Sequence, residues 1–292
     1  MTNPIPLAVI GGSGFYEMPG LSDIDELSVD TPFGAPSGPI MTGILEGERV
    51  AFLARHGKGH RLLPSEIPAR ANFWALKSLG VERVLSVSAV GSLRQDYRPG
   101  HVVIPDQLID RTNGSRPSTF FGDGVVAHIS FAEPFCPAMR LSLRQAAEEA
   151  EATVHRLGTY VVMEGPAFST RAESEMHRTW RTDLIGMTAL PEAKLAREAE
   201  LCYALLAAVT DYDTWHDGHD SVDAKMVFQT LRDNVEVSQR AVRQLVKSLP
   251  SREGCGCHTA LDAALVTRPD AISEANRARL GPILERRLAV TA

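Results

Sequence analysis

Tyr203-Ala204-Leu205-Leu206-Ala207-Ala208-Val209-Thr210-Asp211-Tyr212-Asp213-Thr214-Trp215 is the stretch on which the reading of this chain turns. Its first half is apolar at every position, as in a strand buried on both faces. It then stops on two carboxylates spaced i, i+2, beside Tyr212 and Trp215. In open parallel sheets, ligands sit just beyond the carboxyl ends of strands. Two acids there could hydrogen-bond a ring that offers an N–H donor, and one of them could work as a general acid. A loop of solvated acids after a core strand fits the same residues, so the other strand ends have to decide.

Five further strands end on residues suited to a ligand. Residues 7–10 run into Gly11-Gly12-Ser13-Gly14, where glycines let backbone N–H groups turn toward a ligand. No Lys-Ser/Thr follows, so this is not a P-loop, and the third glycine of a dinucleotide fingerprint is missing. Residues 49–54 deliver Arg55-His56-Gly57, with Gly59 and His60 after them. A guanidinium fork there matches two phosphate oxygens, or pairs with a carboxylate. Residues 83–88 end on Ser88-Ala89-Val90-Gly91-Ser92, and residues 183–186 on Met187-Thr188. Residues 158–163 lead into Glu164-Gly165-Pro166-Ala167-Phe168-Ser169, where Phe168 is either a ring for stacking or a core aromatic.

Helical patterns over 64–80, 137–152, 171–180, 191–200, 220–249 and 273–288 alternate with these strands, and 108–123 reads as a long loop. The alternation predicts a single α/β domain over 1–292, with a core over 5–250 and a C-terminal extension over 251–292. Its sheet should be mainly parallel and twisted, with helices on both faces. Ser13, Arg55, Ser88 and Thr188 would then converge from one side on a tetrahedral anion. Asp211, Asp213 and Phe168 would stand beside it to meet a flat heterocycle.

The chain of 292 residues is 44% hydrophobic and 23% charged, ordinary for a globular protein. Net charge is −6 with scattered basic residues, which argues against nucleic acid as a partner. No apolar run reaches a membrane span, and no signal peptide opens the chain, so no membrane partner and a cytoplasmic location are expected.

Taken together, Gly11-Gly12-Ser13-Gly14, Arg55-His56-Gly57, Glu133-Pro134-Phe135-Cys136-Pro137, Glu164-Gly165-Pro166, Met187-Thr188 and Thr210-Asp211-Tyr212-Asp213 resemble the 5′-methylthioadenosine phosphorylases of the purine nucleoside phosphorylase superfamily. The resemblance covers about residues 5–266. It implies phosphorolysis of methylthioadenosine in methionine salvage, with inorganic phosphate as co-substrate, no metal or organic cofactor, and a homotrimer. It places phosphate on Ser13, Arg55, His56, Ser88, the Ala89 backbone and Thr188, with His60 nearby. It puts Met187 under the ribose, Phe168 and Ser169 at the base, and Asp211 at the Hoogsteen edge of adenine beside Asp213. Val222 and Ala224 match the 5′ pocket, and His128 would reach in from the adjacent subunit. Ala167 replaces the Arg of many members, and Ala224 is smaller than the expected Val. A 6-oxopurine enzyme would carry Asn at 211 and Glu at 169, so both positions read as adenine-specific. A broader purine nucleoside or methylthioinosine phosphorylase is the alternative, and a non-catalytic nucleoside-binding protein is one of another class.

The chemistry asks for a proton donor to purine N7, and burial beside Asp213 is expected to raise the pKa of Asp211. Cys255-Gly256-Cys257 admits free thiols, a metal site or a strained disulfide. Zinc wants four ligands and only His258 stands close by in sequence, so free thiols are expected.

Overall fold

A computed structural model of the chain describes residues 4–12, 17–216 and 224–289, with side chains for all of these except 224–233. Of the candidate site residues, Ser13 and Val222 lie outside the described residues, and Ala224 is described only as backbone.

The fully buried strand β11 (Cys202–Asp211) lies beside β5 (Arg83–Ser92) in parallel register, Tyr203 opposite Val84 and Ala207 opposite Ser88. β5 also pairs β1 (Leu7–Gly11), which pairs β4 (Glu48–Ala54), both in parallel. Side chains alternate along these strands and so feed two apolar layers. Tyr203, Leu205, Ala207 and Val209 face one layer with α1 (Ala69–Ser78), α4 (Ala189–Glu198) and the tail residues Leu261, Ile272, Leu280 and Leu284. Cys202, Ala204, Leu206 and Ala208 face the other, with α2 (Pro137–Glu149) and α5 (Ala224–Lys247). Helices on both faces are thus borne out, and the extension after residue 250 contributes to the core.

The sheet is more mixed than the alternation of strands and helices implied. β2 (Ser22–Leu27) and β3 (Ile40–Leu45) extend it antiparallel from β4. β2 is polar and exposed along most of its length, so no apolar period announces it. β7 (Gln107–Arg111) falls in the expected long loop; it is an edge strand pairing β9 (Thr159–Met163), and its outer side is half-exposed. β10 (Leu184–Gly186) pairs β9 in parallel but β5 antiparallel, Leu184 opposite Ser92 and Ile185 opposite Gly91. The expected C-terminal helix over 273–288 breaks at Gly281-Pro282 into α6 (Glu274–Leu280), a 3₁₀ turn and α7 (Glu285–Ala289). Two short strands, β6 (Val102–Val103) and β8 (Val154–His155), close the edge beyond β11.

Gly186 is fixed by packing. A Cβ there would stand 2.1 Å from Oη of Tyr160, whose side chain is fully buried and has nowhere to swing. Gly186→Ala should therefore cost about 1–3 kcal/mol by overpacking. The check is a lower denaturant midpoint at unchanged m-value; an unshifted midpoint would show that the ring yields.

Candidate functional site

The antiparallel turn of β10 makes the site possible in a way the sequence does not convey. Ser88 is not at the end of its strand, because β5 runs on to Ser92. β10 descends along β5 from that far end, so the residues after Gly186 arrive beside the middle of β5. Ser88 Oγ and Thr188 Oγ1 stand 2.9 Å apart there, within a hydrogen bond. Ala89 is half-buried next to them.

Arg55 lies one residue past β4 and is 3% exposed. Its Nε donates to Glu192 Oε1 at 2.7 Å, Nη1 to the Val87 carbonyl at 2.8 Å, and Nη2 to Ser86 Oγ at 2.6 Å and the Ile10 carbonyl at 3.3 Å. Glu192 also accepts from Tyr203 Oη at 3.0 Å. Burial works against the guanidinium charge, and Glu192 more than offsets it, holding the pKa above its ordinary value. All but one of the guanidinium N–H groups therefore face internal acceptors. Arg55, just past β4, ties the end of β1 and the middle of β5 to α4, and what it offers an anion is its charge and at most one free donor.

His56 is half-buried and its Nδ1 lies 2.8 Å from the Leu62 carbonyl, with the ring stacked on His60 at 4.1 Å. Burial first, then the Arg55 charge, push its pKa down to about 4. The carbonyl can only accept, so Nδ1 carries the proton and Nε2 presents a lone pair. Because the folded value lies below the ordinary 6.5, His56 favours the folded state above that pH. That contribution is lost as pH falls through about 4. The melting temperature of the parent should drop more steeply between those pH values than that of His56→Gln; parallel profiles would show that His56 titrates normally.

The acid pair is shaped by a bulge. Register with β5 slips between Val209 and Asp211, so Asp211 comes opposite Gly91. Bulges of this kind re-aim side chains beside functional sites. Thr210 Oγ1 donates to Asp211 Oδ2 at 2.7 Å, and the Asp213 N–H donates to Asp211 Oδ1 at 2.8 Å. A Cβ on Gly91 would come within 2.9 Å of Asp211 Oδ1, so only glycine leaves the carboxylate its place. Asp213 sits at φ +52°, a left-handed conformation that Asp tolerates better than most residues.

Asp213 is buried, and among the described residues its Oδ2 lacks a hydrogen-bond partner, as do Ser174 Oγ and both ring nitrogens of His177. Burial raises the Asp213 carboxyl's pKa; the neighbouring Ser174 and Ser169 hydroxyls act the other way without restoring it. The raised pKa that a proton donor needs is present at Asp213. Asp211 accepts from Thr210 and from the Asp213 backbone, whereas Asp213 Oδ2 has no hydrogen-bond partner among the described residues.

Of the remaining candidates, Met187 is half-buried against Gly165, where a Cβ would collide with its Sδ. Ser169 is buried near Asp213, whereas Phe168 is 40% exposed and so is not a core aromatic. His60 and His128 are exposed, and the His128 backbone is fastened to the Ala264 carbonyl at 2.8 Å.

Arg116 gives no signal in the sequence, because it lies in the stretch that reads as loop. It is 7% exposed and donates to the carbonyls of Glu164, Met187 at 2.5 Å and Leu190 at 3.0 Å, while pairing with the Glu164 carboxylate at 2.7 Å. One guanidinium thus fixes both backbone segments that carry Met187-Thr188 and Phe168-Ser169.

The four cysteines form a separate group. Cys136 and Cys202 come to Cys255 and Cys257 from distant parts of the chain, supplying neighbours where the sequence offers only His258.

A family model described as the phosphorylase superfamily matches residues 6–247. The S-methyl-5′-thioadenosine phosphorylase of Chloroflexus aurantiacus is 58% identical over 280 residues, covering 96% of this chain and 97% of that protein. The enzyme of that name from Geobacter sulfurreducens is 53% identical over 278 residues, covering 95% and 97%. Among solved structures, a methylthioadenosine phosphorylase from an Antarctic soil metagenomic library superposes with a TM-score of 0.91 at 48% identity, covering 97% of this chain and all of that one. The methylthioadenosine phosphorylase of Schistosoma mansoni, in complex with adenine, gives 0.82 at 36% identity, covering 89% and 96%.

Proposed function

The chain belongs to the phosphorylase superfamily, and on that footing we propose that it cleaves S-methyl-5′-thioadenosine with inorganic phosphate, yielding adenine and 5-methylthioribose 1-phosphate. The observation that carries this reading is the buried pair Asp211 and Asp213 at the bulged end of β11, one of whose oxygens has no partner among the described residues.

Breaking the glycosidic bond leaves the electron pair on the purine and positive charge on the ribose. A proton delivered to N7 makes the purine a better leaving group, and a carboxylic acid kept protonated by burial can deliver it. Asp213 takes that role, while Asp211, anchored by Thr210 and the Asp213 backbone, accepts from the 6-amino group. Phosphate stabilises the ribosyl cation and then attacks its anomeric carbon. Ser88, Thr188, the Ala89 N–H and Ser13 would hold it, with Arg55 as the nearby positive charge. His56, neutral, would accept the O–H of a monohydrogen phosphate at Nε2. Met187 would underlie the ribose and Phe168 with Ser169 border the base. Val222 and Ala224 would line the 5′ pocket, and His128 would complete the site of a neighbour in a cytoplasmic homotrimer. The reaction so drawn needs no metal and no organic cofactor.

Adenine release from methylthioadenosine and adenosine, and hypoxanthine release from inosine, with and without phosphate, test this. Phosphate-dependent cleavage of methylthioadenosine, little of inosine, is expected. Cleavage that ignores phosphate would defeat the proposal.

A further inference from the structure

We propose that Cys136, Cys202, Cys255 and Cys257 form a tetrathiolate site for one zinc ion that clips the C-terminal extension to the core. These are all the cysteines of the chain, and none is in a disulfide. They come from three places: the residue before α2, the first residue of β11, and the two ends of the Cys-Gly-Cys turn that opens the 3₁₀ segment Gly256–Thr259. Their four Sγ atoms all lie within 4.8 Å of one another.

The arrangement is that of a tetrahedron and not of two pairs. Cys255 Sγ is 3.6 Å from Cys136 Sγ and 3.5 Å from Cys202 Sγ, nearly equidistant from two different partners. Zinc–sulfur bonds of about 2.3 Å at tetrahedral angles place ligand sulfurs about 3.8 Å apart. A set of four soft thiolates with no carboxylate or imidazole among them selects zinc over hard cations. Binding would release a proton from each thiol to solvent and leave a doubly negative centre. The positive N-terminal end of α2, which Cys136 precedes, would partly offset that charge.

An ion could arrive through a solvent-open cavity of about 470 Å³, lined by Glu133, Arg197, Glu253, Cys255 and Cys257. The centre is remote from the acids. Cys202 begins β11 and Asp211 ends it, which at about 3.3 Å per residue is about 30 Å. The ion would therefore act on folding. It would hold the turn from which the chain goes on to place Leu261, Ile272 and Leu284 in the core.

The test is metal analysis of the intact protein, grown with zinc and purified without chelator. About one zinc per chain is expected, released when an organomercurial titrates the thiols. Reconstitution with cobalt(II) should give the visible bands of a tetrahedral thiolate complex. Cys257→Ser and Cys255→Ser should lose the zinc and melt lower, while their kcat for the phosphorolysis stays that of the parent. If the parent holds no stoichiometric zinc and its cysteines are found as disulfides or as four freely reactive thiols, the proposal fails. Zinc content unchanged in both variants would also overturn it.

Discussion

Asp213→Asn lowers kcat for methylthioadenosine by about 10²–10⁴-fold, the range a positioned general acid supplies. The amide cannot deliver a proton to N7, yet it is nearly isosteric, so substrate binding should change far less than turnover. The reading has a second handle in pH. Burial raises the Asp213 carboxyl's pKa, so the parent loses activity as alkali removes that proton, and this limb should be absent from the variant. Asp211→Asn behaves differently. Its carboxylate already accepts from Thr210 and from the Asp213 N–H, and an amide would turn a donor toward the 6-position in place of an acceptor. Preference should move from 6-amino toward 6-oxopurines by about 10²-fold or more, as hydrogen-bonding sites discriminate strongly. Turnover of methylthioadenosine by Asp213→Asn equal to the parent's would remove the acid from that position.

What can be read in advance follows from where each residue's partners lie. β1, β4, β5, β9, β10 and β11 are buried, so each announces itself as an apolar run, and the residues just past those runs are visible as site candidates. β2 and β7 are polar or edge-exposed and carry no such signal. The direction of β10 is not legible either, because strand orientation depends on pairing and leaves no mark on three residues. Ser88, Thr188 and the two acids can be named, but Glu192 and Arg116 cannot. Glu192 matters through Arg55, 137 positions away, and Arg116 through the carbonyl of Met187, 71 positions away. The cysteines repeat the lesson: Cys255 meets Cys136 across 119 residues and Cys202 across 53. Neighbours in sequence offer too few ligands, and the neighbours in space lie elsewhere.

Arg55→Ala should destabilise the fold by about 3–5 kcal/mol, because it leaves Glu192 charged, buried and without its cation. That loss would mask any effect on phosphate, so the single variant does not separate scaffold from site. Arg55→Met combined with Glu192→Gln does. The pair removes both charges, keeps apolar volume in the space of the guanidinium, and leaves an amide oxygen to accept from Tyr203 Oη. Replacing a buried ion pair as a unit is often close to neutral, so the double variant should recover most of the melting temperature. Phosphate use should not recover. With Arg55 gone, the remaining groups are hydroxyls, backbone N–H and a neutral His56, and none of them carries charge toward the anion. The KM for phosphate should therefore rise by about 10-fold or more, since a charge-assisted contribution of about 1.5–3 kcal/mol is removed. Adenine binding, which rests on Asp211 and Asp213, should stay near that of the parent. A double variant that folds and uses phosphate as the parent does would make Arg55 a part of the scaffold alone.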